Sequence, residues 1–399
     1  MTTHERSKFV PLVLAATVVC TTTPVQGRQP ADSTSMSGHA IGAGRTVVLW
    51  GPDQILNVRE AYQGNDPRVR ELIDQAAVLA EESRNASPRP QRVINLRTGI
   101  GVAAAKRDAV LTHAFGIDYV FNGNGRSRQK ARQFLLAWAR TYDTDEYDNG
   151  FFTSVSLLVP FIWPFELVRG AMPANEVNEI HSFWRAVYQL AEKNLEHIGN
   201  AHAYTNPFSY HVYTATAIGF LLNDPEVLTR AESLYNEQID WNLFPGGTPR
   251  AFYGHAPKGR ELLARLQRCG VATRDFERST LDWINRDALG YHIISIRLLL
   301  WAGWFAENNG RSWLSRVGQQ GMKLADGFDL LTDYVDQRHT EFEETCNQSD
   351  EVKDNKSWVK QPDDVIRALA CGALLDKRFV SWHGTQYGSL CTTLEVTGR

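Results

Sequence analysis

Helical periodicity dominates this 399-residue chain from residue 46 onward. Apolar residues recur at three- and four-residue spacing in one segment after another, as in "ANEVNEIHSFWRAVYQLAEKNLEHI", and convincing strand patterns are few. The pattern predicts about eleven to thirteen helices, and consecutive helices joined by short turns pack as antiparallel hairpins. We therefore expect an all-α fold in which the hairpins close into a toroid. A superhelical repeat array is the alternative, but no fixed-period repeat is found.

Three segments carry more specific structural expectations. Pro160 and Pro164 interrupt "FFTSVSLLVPFIWPFELVRG" and predict a kink or a break in a buried helix. The stretch "NASPRPQRVINLRTGIGVAAAKRD" is rich in Pro, Gly and Arg, so it predicts a long loop that ends where a helix begins at Asp108. A long core helix closed by Gly310 is expected to be followed by a further helix in "SWLSRVGQQGMKLADGFDLLTDYV".

The N-terminus has the layout of a secretory signal peptide. Arg6 and Lys8 precede an apolar run of about twelve residues, which is too short to span a bilayer as a helix. A polar segment rich in Thr, Pro and Ser follows. We expect a signal peptide at 1–27, a flexible leader at 28–45 and a single domain at 46–399, and hence a secreted or periplasmic protein.

Composition restricts the partners. The formal net charge of −3 gives no electrostatic reason to expect nucleic acid or a membrane surface as a partner. The chain has 11 Trp, 13 Tyr and 18 Phe. We expect most of these aromatic side chains to lie in the hydrophobic core and the remainder to be available for stacking on sugar rings. We expect a monomer.

Cys20 is removed with the signal peptide. The remaining thiols either form up to two disulfides, in one of three pairings, or stay free; they are Cys269, Cys346, Cys371 and Cys391.

Titratable groups concentrate ahead of two apolar helices. In "GNAHAYTNPFSYHVYTATAIG", Asn206 before Pro207 fits a helix N-cap, but a cap does not account for His211 one turn inside the helix, close to His202 and Tyr210. His211 is either a satisfied core histidine or part of a site.

The second cluster is "STLDWINRDALGYHIISI". Asp287 is the expected N-cap, with Arg286 just outside the helix and Tyr291 and His292 in its first turns. On an uninterrupted helix Arg286 and Tyr291 would be about 140° apart, so they converge only if the chain turns at Asp287. The alternative is a capped helix with an Asp282–Arg286 salt bridge and a buried tyrosine.

A third group of polar residues, in the Pro- and Gly-rich loop, is basic. Arg97, Lys106 and Arg107 are either solvated surface residues or subsites for a polyanion.

The candidate site residues are Asn, His, Arg and Tyr, and there is no metal-site motif. This combination favours β-elimination on a uronic-acid polysaccharide. Asn, His and Arg side chains neutralise the C6 carboxylate and stabilise the enolate-like charge, while a tyrosine of lowered pKa removes the C5 proton and returns it to the leaving oxygen. Such a reaction needs no cofactor and no metal. Glycoside hydrolysis would instead need a carboxylate pair, for which Glu166 or Asp287 would have to be free of structural duties.

The same residues carry a family resemblance over about residues 45–320. "LDWINRDALGYHIISIRLLLWAGWFAENNG" and "NPFSYHVYTATAIGFLLND" resemble segments of alginate lyase-like polysaccharide lyases, as do "TVVLWGPDQILNVREAYQGNDP" and "SRQKARQFLLAWARTYD". The resemblance implies an incomplete α/α toroid that degrades mannuronate-rich alginate or a related polyuronate such as glucuronan by β-elimination.

Carried over residue by residue, the resemblance implies that Tyr291 is the base and acid, that Asn206 and His211 neutralise the carboxylate, and that Arg286 assists. The family's Asn-Asn-His triplet is replaced here by "NPF" at 206–208 and "NAH" at 200–202, so His202 is the alternative to His211. Ile284 stands where relatives have an arginine.

We therefore expect a lyase acting on an anionic polysaccharide; the alternatives are an α/α-toroid glycoside hydrolase and a non-catalytic polyuronate-binding protein. The predicted catalytic residues are Tyr291, His211, Asn206 and Arg286. The predicted substrate-binding residues are His202, His292, Tyr210, Arg97, Lys106 and Arg107.

Overall fold

The computed structural model describes residues 46–96, 98–146, 152–198, 205–246, 277–281 and 288–327, all within one unit, Ile41–Arg399. In these ranges the fold consists of α-helices with 3₁₀ turns, and pairing between extended segments is limited to isolated bridges. The prediction of an all-α fold is confirmed. The helices are α1 (Pro52–Gln63), α2 (Pro67–Glu82), α3 (Val102–Asn122), α4 (Gly125–Thr141), α5 (Phe152–Ser156), α6 (Ile162–Val168), α7 (Ala174–Ile198), α8 (Asn206–Leu222), α9 (Pro225–Trp241) and α10 (Ala288–Glu307).

The helices form two layers. Helices α3, α8 and α10 are apolar around most of their circumference and contribute a large share of the buried residues, as helices inside a protein do. Helices α2, α4, α7 and α9 are amphipathic and cover them from outside. Helix α3 packs against α2 and α4, and α8 packs against α7 and α9, which are the hairpins that the sequence predicts.

The inner helices α3 and α10 run in the same direction. Lys106 of α3 lies close enough to Arg297 of α10 for the two charges to interact. Further along both helices, His113 of α3 and Trp301 of α10 each contact the ring of Trp163, with ring centroids 5.8 and 5.6 Å away. The order of these contacts along each helix is the same, so both helices begin at the same end of the fold.

Helix α8 also begins at this end. Ser209, in its first turn, donates to Gln238 near the end of α9, and the next turn of α9 places Asn242 Oδ1 3.1 Å from the backbone nitrogen of Leu281. The adjacent Thr280 donates its backbone N–H to His292 in α10. The starts of the inner helices are therefore grouped together.

The proline-rich segment is broken, as predicted. Helix α5 ends at Ser156, a 3₁₀ turn follows at Val159–Phe161, and α6 carries Pro164 in its first turn, where the missing N–H costs no helical hydrogen bond. By length and composition Ser154–Ala171 could cross a membrane, but 78% of it is buried inside the fold. It forms core.

Helix α3 begins six residues earlier than predicted. Its first turn, "VAAAK", consists largely of strong helix formers and extends the helix back to Val102. Gly101 precedes it with φ of 72°, and a Cβ there would lie 2.5 Å from the carbonyl oxygen of Val93, so only glycine fits. Lys106 and Arg107, expected in a loop, therefore lie in the first turns of an inner helix.

The helix predicted directly after Gly310 is absent from residues 311–323. This stretch consists of turns and an isolated bridge between Val317 and Lys323, and helical residues resume only at Leu324. The N–H of Gly318 donates to the carbonyl of Met322 at 2.8 Å, and Gly321 has φ of 79°. The two glycines favour a tight turn over a continuous helix.

A buried carboxylate fastens the extended segment that precedes α1. Glu166 of α6 accepts backbone N–H groups from Val48 at 2.6 Å and from Leu49 and Trp50 at 2.9 Å each. Its side chain is 4% exposed. Extended backbone in a core has no helical partners for its N–H groups, so this one carboxylate satisfies three of them.

Two adjacent asparagines complete the attachment. Asn309 Oδ1 accepts the N–H of Val47 at 2.9 Å, and Asn308 Nδ2 donates to the carbonyl of Val48 at 2.9 Å. Both asparagines follow the end of α10. The extended segment therefore joins α6 to the end of α10 through polar contacts inside an apolar core.

Replacing Glu166 by alanine should cost about 3 kcal/mol or more of unfolding free energy, because each buried N–H left without an acceptor costs ~1–3 kcal/mol. Urea unfolding followed by circular dichroism measures the loss. Glu166→Gln, which keeps one acceptor oxygen, should lie between the alanine variant and the wild type. Glu60→Ala, on the exposed side of α1, is the matched control. Equal stability of Glu166→Ala and the control would contradict this role.

Candidate active site

Asn206 and Tyr210 lie on the stripe of α8 that faces α10. They are one turn apart, and Tyr213 continues the stripe to contact Phe305 of α10, with ring centroids 5.8 Å apart. Asn206 is buried and Tyr210 is half-buried. The structure therefore places both residues towards the inner helix that carries position 291.

Asn206 does not cap α8, contrary to the prediction. The N-cap residue is Thr205, Asn206 is the first residue of the helix, and Pro207 occupies the second position. Proline is accommodated at this position because its missing N–H would be unpaired anywhere in the first turn. The Asn206 amide is thus not the group that caps the first turn.

His211 faces the outer helix α7 and not the stripe of Asn206. Five residues separate the two, which corresponds to about 140° around the helix. The His211 ring is 2% exposed, and its Nε2 lies 2.6 Å from Oε1 of Glu192 in α7. The predicted convergence of Asn206 and His211 on one carboxylate is therefore not what the structure shows.

Glu192 joins three helices. Burial raises the pKa of its carboxyl, but the hydrogen bond and charge of His211, the charge of Arg230 in α9 and a hydrogen bond from Tyr188 outweigh burial and lower it. Burial and the neighbouring Glu192 carboxylate in turn raise the pKa of Tyr188. Glu192 thus holds α7, α8 and α9 together beside the candidate site. No local sequence signal links Glu192 with His211, because the contact depends on the register of the α7–α8 hairpin.

His292 is a core residue, which corrects its prediction as a substrate ligand. It is fully buried, its Nδ1 accepts the backbone N–H of Thr280 at 3.1 Å, and its Nε2 contacts the carbonyl of Gly327 at 2.8 Å. Burial lowers the pKa of His292 to about 4, against a smaller opposing effect of the Gly327 carbonyl, so the ring is neutral and donates from Nε2. Its two hydrogen bonds fix the start of α10.

Lys106 and Arg297 bring two positive charges together on the inner helices. Both side chains are half-buried, and the pKa of Lys106 is lowered, first by burial and then by the charge of Arg297. Two like charges in a partly desolvated position favour an anionic ligand. The sequence prediction included Lys106 but missed Arg297, although a lone arginine inside "IISIRLLLWAGWF" was a visible signal.

Arg107 holds the preceding loop. Its Nη1 donates to the carbonyl of Ser87 at 3.2 Å and to Asp108 Oδ1 at 2.6 Å, and Asp108 also accepts the backbone N–H of Arg89 and the indole N–H of Trp138. These contacts anchor the loop through Arg107, and its role as a substrate ligand stays a prediction.

The remaining predicted site residues lie outside the described residues: Arg97, His202, Arg286 and the side chain of Tyr291, together with Asp287 and the four cysteines of the predicted mature chain. The backbone of residue 291 is described and belongs to the first turn of α10, which begins at Ala288, directly after the predicted cap.

Of the two carboxylates named for the glycoside hydrolase alternative, Glu166 is committed elsewhere and Asp287 lies outside the described residues. Glu166 is saturated by three backbone donors in the core, so it is not available as a general acid or nucleophile. Among the described residues, no three His, Cys, Asp or Glu side chains gather to hold a metal ion.

Comparison with known proteins decides the family. The family model described as Alginate lyase matches residues 101–342, more than half of the chain. The chain belongs to the alginate lyase family. Among solved structures it resembles an alginate lyase from Bacteroides ovatus, with a TM-score of 0.57 and 11% identity over 87% of this chain and 94% of that one. It also resembles a histidine-to-alanine variant of alginate lyase A1-III complexed with a tetrasaccharide, with a TM-score of 0.54 and 14% identity over 76% and 82% of the two chains. No curated protein sequence matches the chain.

Membership of the alginate lyase family makes this chain a polysaccharide lyase. The likeness to the two solved alginate lyases also confirms the predicted α/α toroid. The matched range starts at Gly101, directly before α3, and includes α8 and α10. The inner helices that position Lys106, Asn206 and Arg297 are therefore part of the family's core.

Glu192→Gln should lower the unfolding free energy by about 2 kcal/mol at neutral pH, the typical value of a hydrogen bond to a charged group. Because the folded pKa of Glu192 lies below the ordinary value of 4.5, its stabilisation is complete above pH 4.5 and is lost as the pH falls through the folded pKa. Urea unfolding at a series of pH values should show wild type and variant converging in acid. Glu196→Gln, exposed one turn later on α7, is the control. A deficit independent of pH would argue against the ion pair.

Proposed function

We propose that this family member cleaves a uronic-acid polysaccharide, either mannuronate-rich alginate or glucuronan, by β-elimination. The observation that carries the proposal is the family match across the three inner helices, of which α8 begins with Asn206 while α3 and α10 carry the neighbouring cations Lys106 and Arg297. Glu166, the carboxylate considered for hydrolysis, is held in the core. A polyuronate presents one carboxylate on each ring, which is what amide and cationic donors bind.

The first requirement of elimination is neutralisation of the C6 carboxylate. The Asn206 amide lies at the first position of α8, where the N–H groups of the first turn and the helix dipole favour negative charge. Lys106 and Arg297 add positive charge on the neighbouring inner helices, where partial burial weakens solvent screening. Charge that develops on the carboxylate as C5–H breaks would be stabilised by these groups. Arg286 would assist from the residue pair directly before α10.

Tyr291 is the proposed base and acid. In its ionised form it would take the C5 proton, and the same hydroxyl would return a proton to the O4 leaving oxygen as the C4–O4 bond breaks and the C4–C5 double bond forms. In β-mannuronate and β-glucuronate, C5–H and the leaving oxygen lie on the same face, so one residue serves both steps. Position 291 is in the first turn of the inner helix that the Asn206 stripe faces.

His202 is the proposed neutralising histidine. Of the two alternatives, His211 is held by Glu192 on the α7 side of α8, about 140° from Asn206. The pairing of Asn206 with His211 is therefore disfavoured, and His202, four residues ahead of Asn206, takes the role. Tyr210 and Arg97 are proposed to contact neighbouring sugar units. We further propose that the chain is exported by its N-terminal signal segment.

The absorbance of the unsaturated, conjugated uronate end tests the reaction class. The protein is incubated separately with polymannuronate, polyguluronate, glucuronan and hyaluronan. We expect this ultraviolet absorbance to rise with polymannuronate or with glucuronan. Release of reducing sugar without absorbance on every polymer would overturn the lyase proposal.

Tyr291→Phe should reduce kcat by at least about a thousandfold, since it removes the group that moves both protons, while polymer binding and the circular dichroism spectrum remain unchanged. Tyr62→Phe, a substitution in the exterior helix α1, is the matched control and should retain full activity. Substantial activity in Tyr291→Phe would show that another residue is the base.

The two histidines are distinguished by a parallel comparison. His202→Ala should lower kcat by roughly a hundredfold or more with little change in unfolding free energy, as loss of a group that stabilises the transition state does. His211→Ala should mainly lower stability, because it leaves Glu192 without its closest partner. The reverse result would return the neutralising role to His211.

A further inference from the structure

A cavity of about 320 Å³ opens on the outer side of α9, away from the candidate active site. One wall is Glu232 and Asn236, which are one turn apart on α9, and the other is the turn segment after α10, with Arg311, Ser312, Trp313 and Arg316. The volume is at the lower end of the range for ligand sites. It suits one or two sugar units.

This cavity is separate from the end of the fold that carries Asn206. The Arg311 guanidinium lies 5.9 Å from the centre of the Phe220 ring, close to the end of α8. Phe220 follows Asn206 by fourteen residues on the same helix, which corresponds to about 21 Å along its axis. A ligand in this cavity therefore does not occupy the proposed catalytic position.

The lining groups have the chemistry of an acidic-sugar site. Arg311 is oriented by Glu232 at 3.1 Å and retains further N–H donors, and Arg316 is exposed with no ion-pair partner within the described ranges. Guanidinium groups bind carboxylates through paired hydrogen bonds. Asn236 and Ser312 match sugar hydroxyls, and the Glu232 carboxylate accepts from a hydroxyl but repels a densely charged anion such as polyphosphate.

Trp313 supplies a second, independent observation. Its ring is 4% exposed and lines the cavity, while Tyr235 and Phe220 hold it in place with ring centroids 5.0 and 6.5 Å away. Its indole Nε1 is a buried donor without a hydrogen-bond partner. The Trp313 ring, held by these two aromatic neighbours, therefore forms a rigid apolar part of the cavity wall.

We infer that this cavity is an accessory binding site for an acidic saccharide unit, which holds a second part of the polymer chain while another part is cleaved. The identity of the saccharide rests on the proposed function, and the site itself rests on the cavity, the arginines and Trp313. Two linked sites raise the overall affinity for a long chain without changing the chemical step.

Kinetics on long and short substrates test the site in the full-length protein. Arg316→Ala should raise KM for long polymannuronate or glucuronan roughly tenfold at unchanged kcat, within the gain that a linked second site supplies. Values for a tetrasaccharide of the same polymer should not change, because a chain that occupies the catalytic position has no residues left for a second site. Arg316→Lys should restore part of the loss, since it keeps the charge but not the paired hydrogen bonds.

Arg126→Ala, an exposed arginine at the start of α4 without an ion pair in the described structure, is the matched control and should leave both KM values unchanged. A wild-type KM for the polymer in Arg316→Ala, or an equal rise for polymer and tetrasaccharide, would overturn the accessory site. If no polyuronate is cleaved, the proposed function fails separately. Calorimetric titration of the wild type and Arg316→Ala with the mannuronate tetrasaccharide then tests the accessory site by itself. Loss of one class of binding sites in Arg316→Ala supports the accessory site, and unchanged binding refutes it.

Discussion

The Glu166 carboxylate makes the contact on which the arrangement of the inner layer depends. Burying a charged group is costly unless hydrogen bonds replace its water, and three backbone N–H groups of residues 48–50 do so here. The same three N–H groups would otherwise be unpaired in the core. Since the segment is also tied to Asn308 and Asn309 after α10, one carboxylate links α6 to the far end of α10. Helix α10 is thereby fixed at the end opposite its first turn, where the proposed base Tyr291 lies.

An apolar inner layer makes every polar side chain within it informative. His292 and Ser209 are explained by hydrogen bonds that align the starts of α8 and α10. Lys106 and Arg297 place two positive charges near each other, which raises the free energy of the fold unless a negative charge lies nearby. An anionic ligand supplies such a charge. A polymer with a carboxylate on every ring is a ligand of that kind, which connects the charge pattern of the inner helices with the family's chemistry.

The sequence was sufficient for the fold class because amphipathic and wholly apolar helices have distinct patterns, and the broken helix around Pro160 follows from one residue's geometry. The sequence was insufficient where the role of a side chain depended on how neighbouring helices are aligned against each other. The Glu192–His211 contact, the commitment of Arg107 to Ser87 and the burial of His292 depend on which helix faces which, and no short motif encodes that. The early start of α3 was missed because nearby Gly and Arg residues outweighed the run of alanines in the interpretation.

The position of His211 also limits which residues of α8 can contact a substrate. A histidine used to neutralise a substrate must be able to leave its protein partner, yet His211 is almost fully buried and contacts a carboxylate whose pKa is lowered by that same contact. Moving His211 towards the substrate would break the link among α7, α8 and α9. Asn206 lies on the other side of the helix, at the first position of α8 on the stripe that faces α10. In the proposed mechanism Asn206 and the start of α8 therefore bind the substrate carboxylate, while the contact between His211 and Glu192 on the other side of α8 keeps the helix in place.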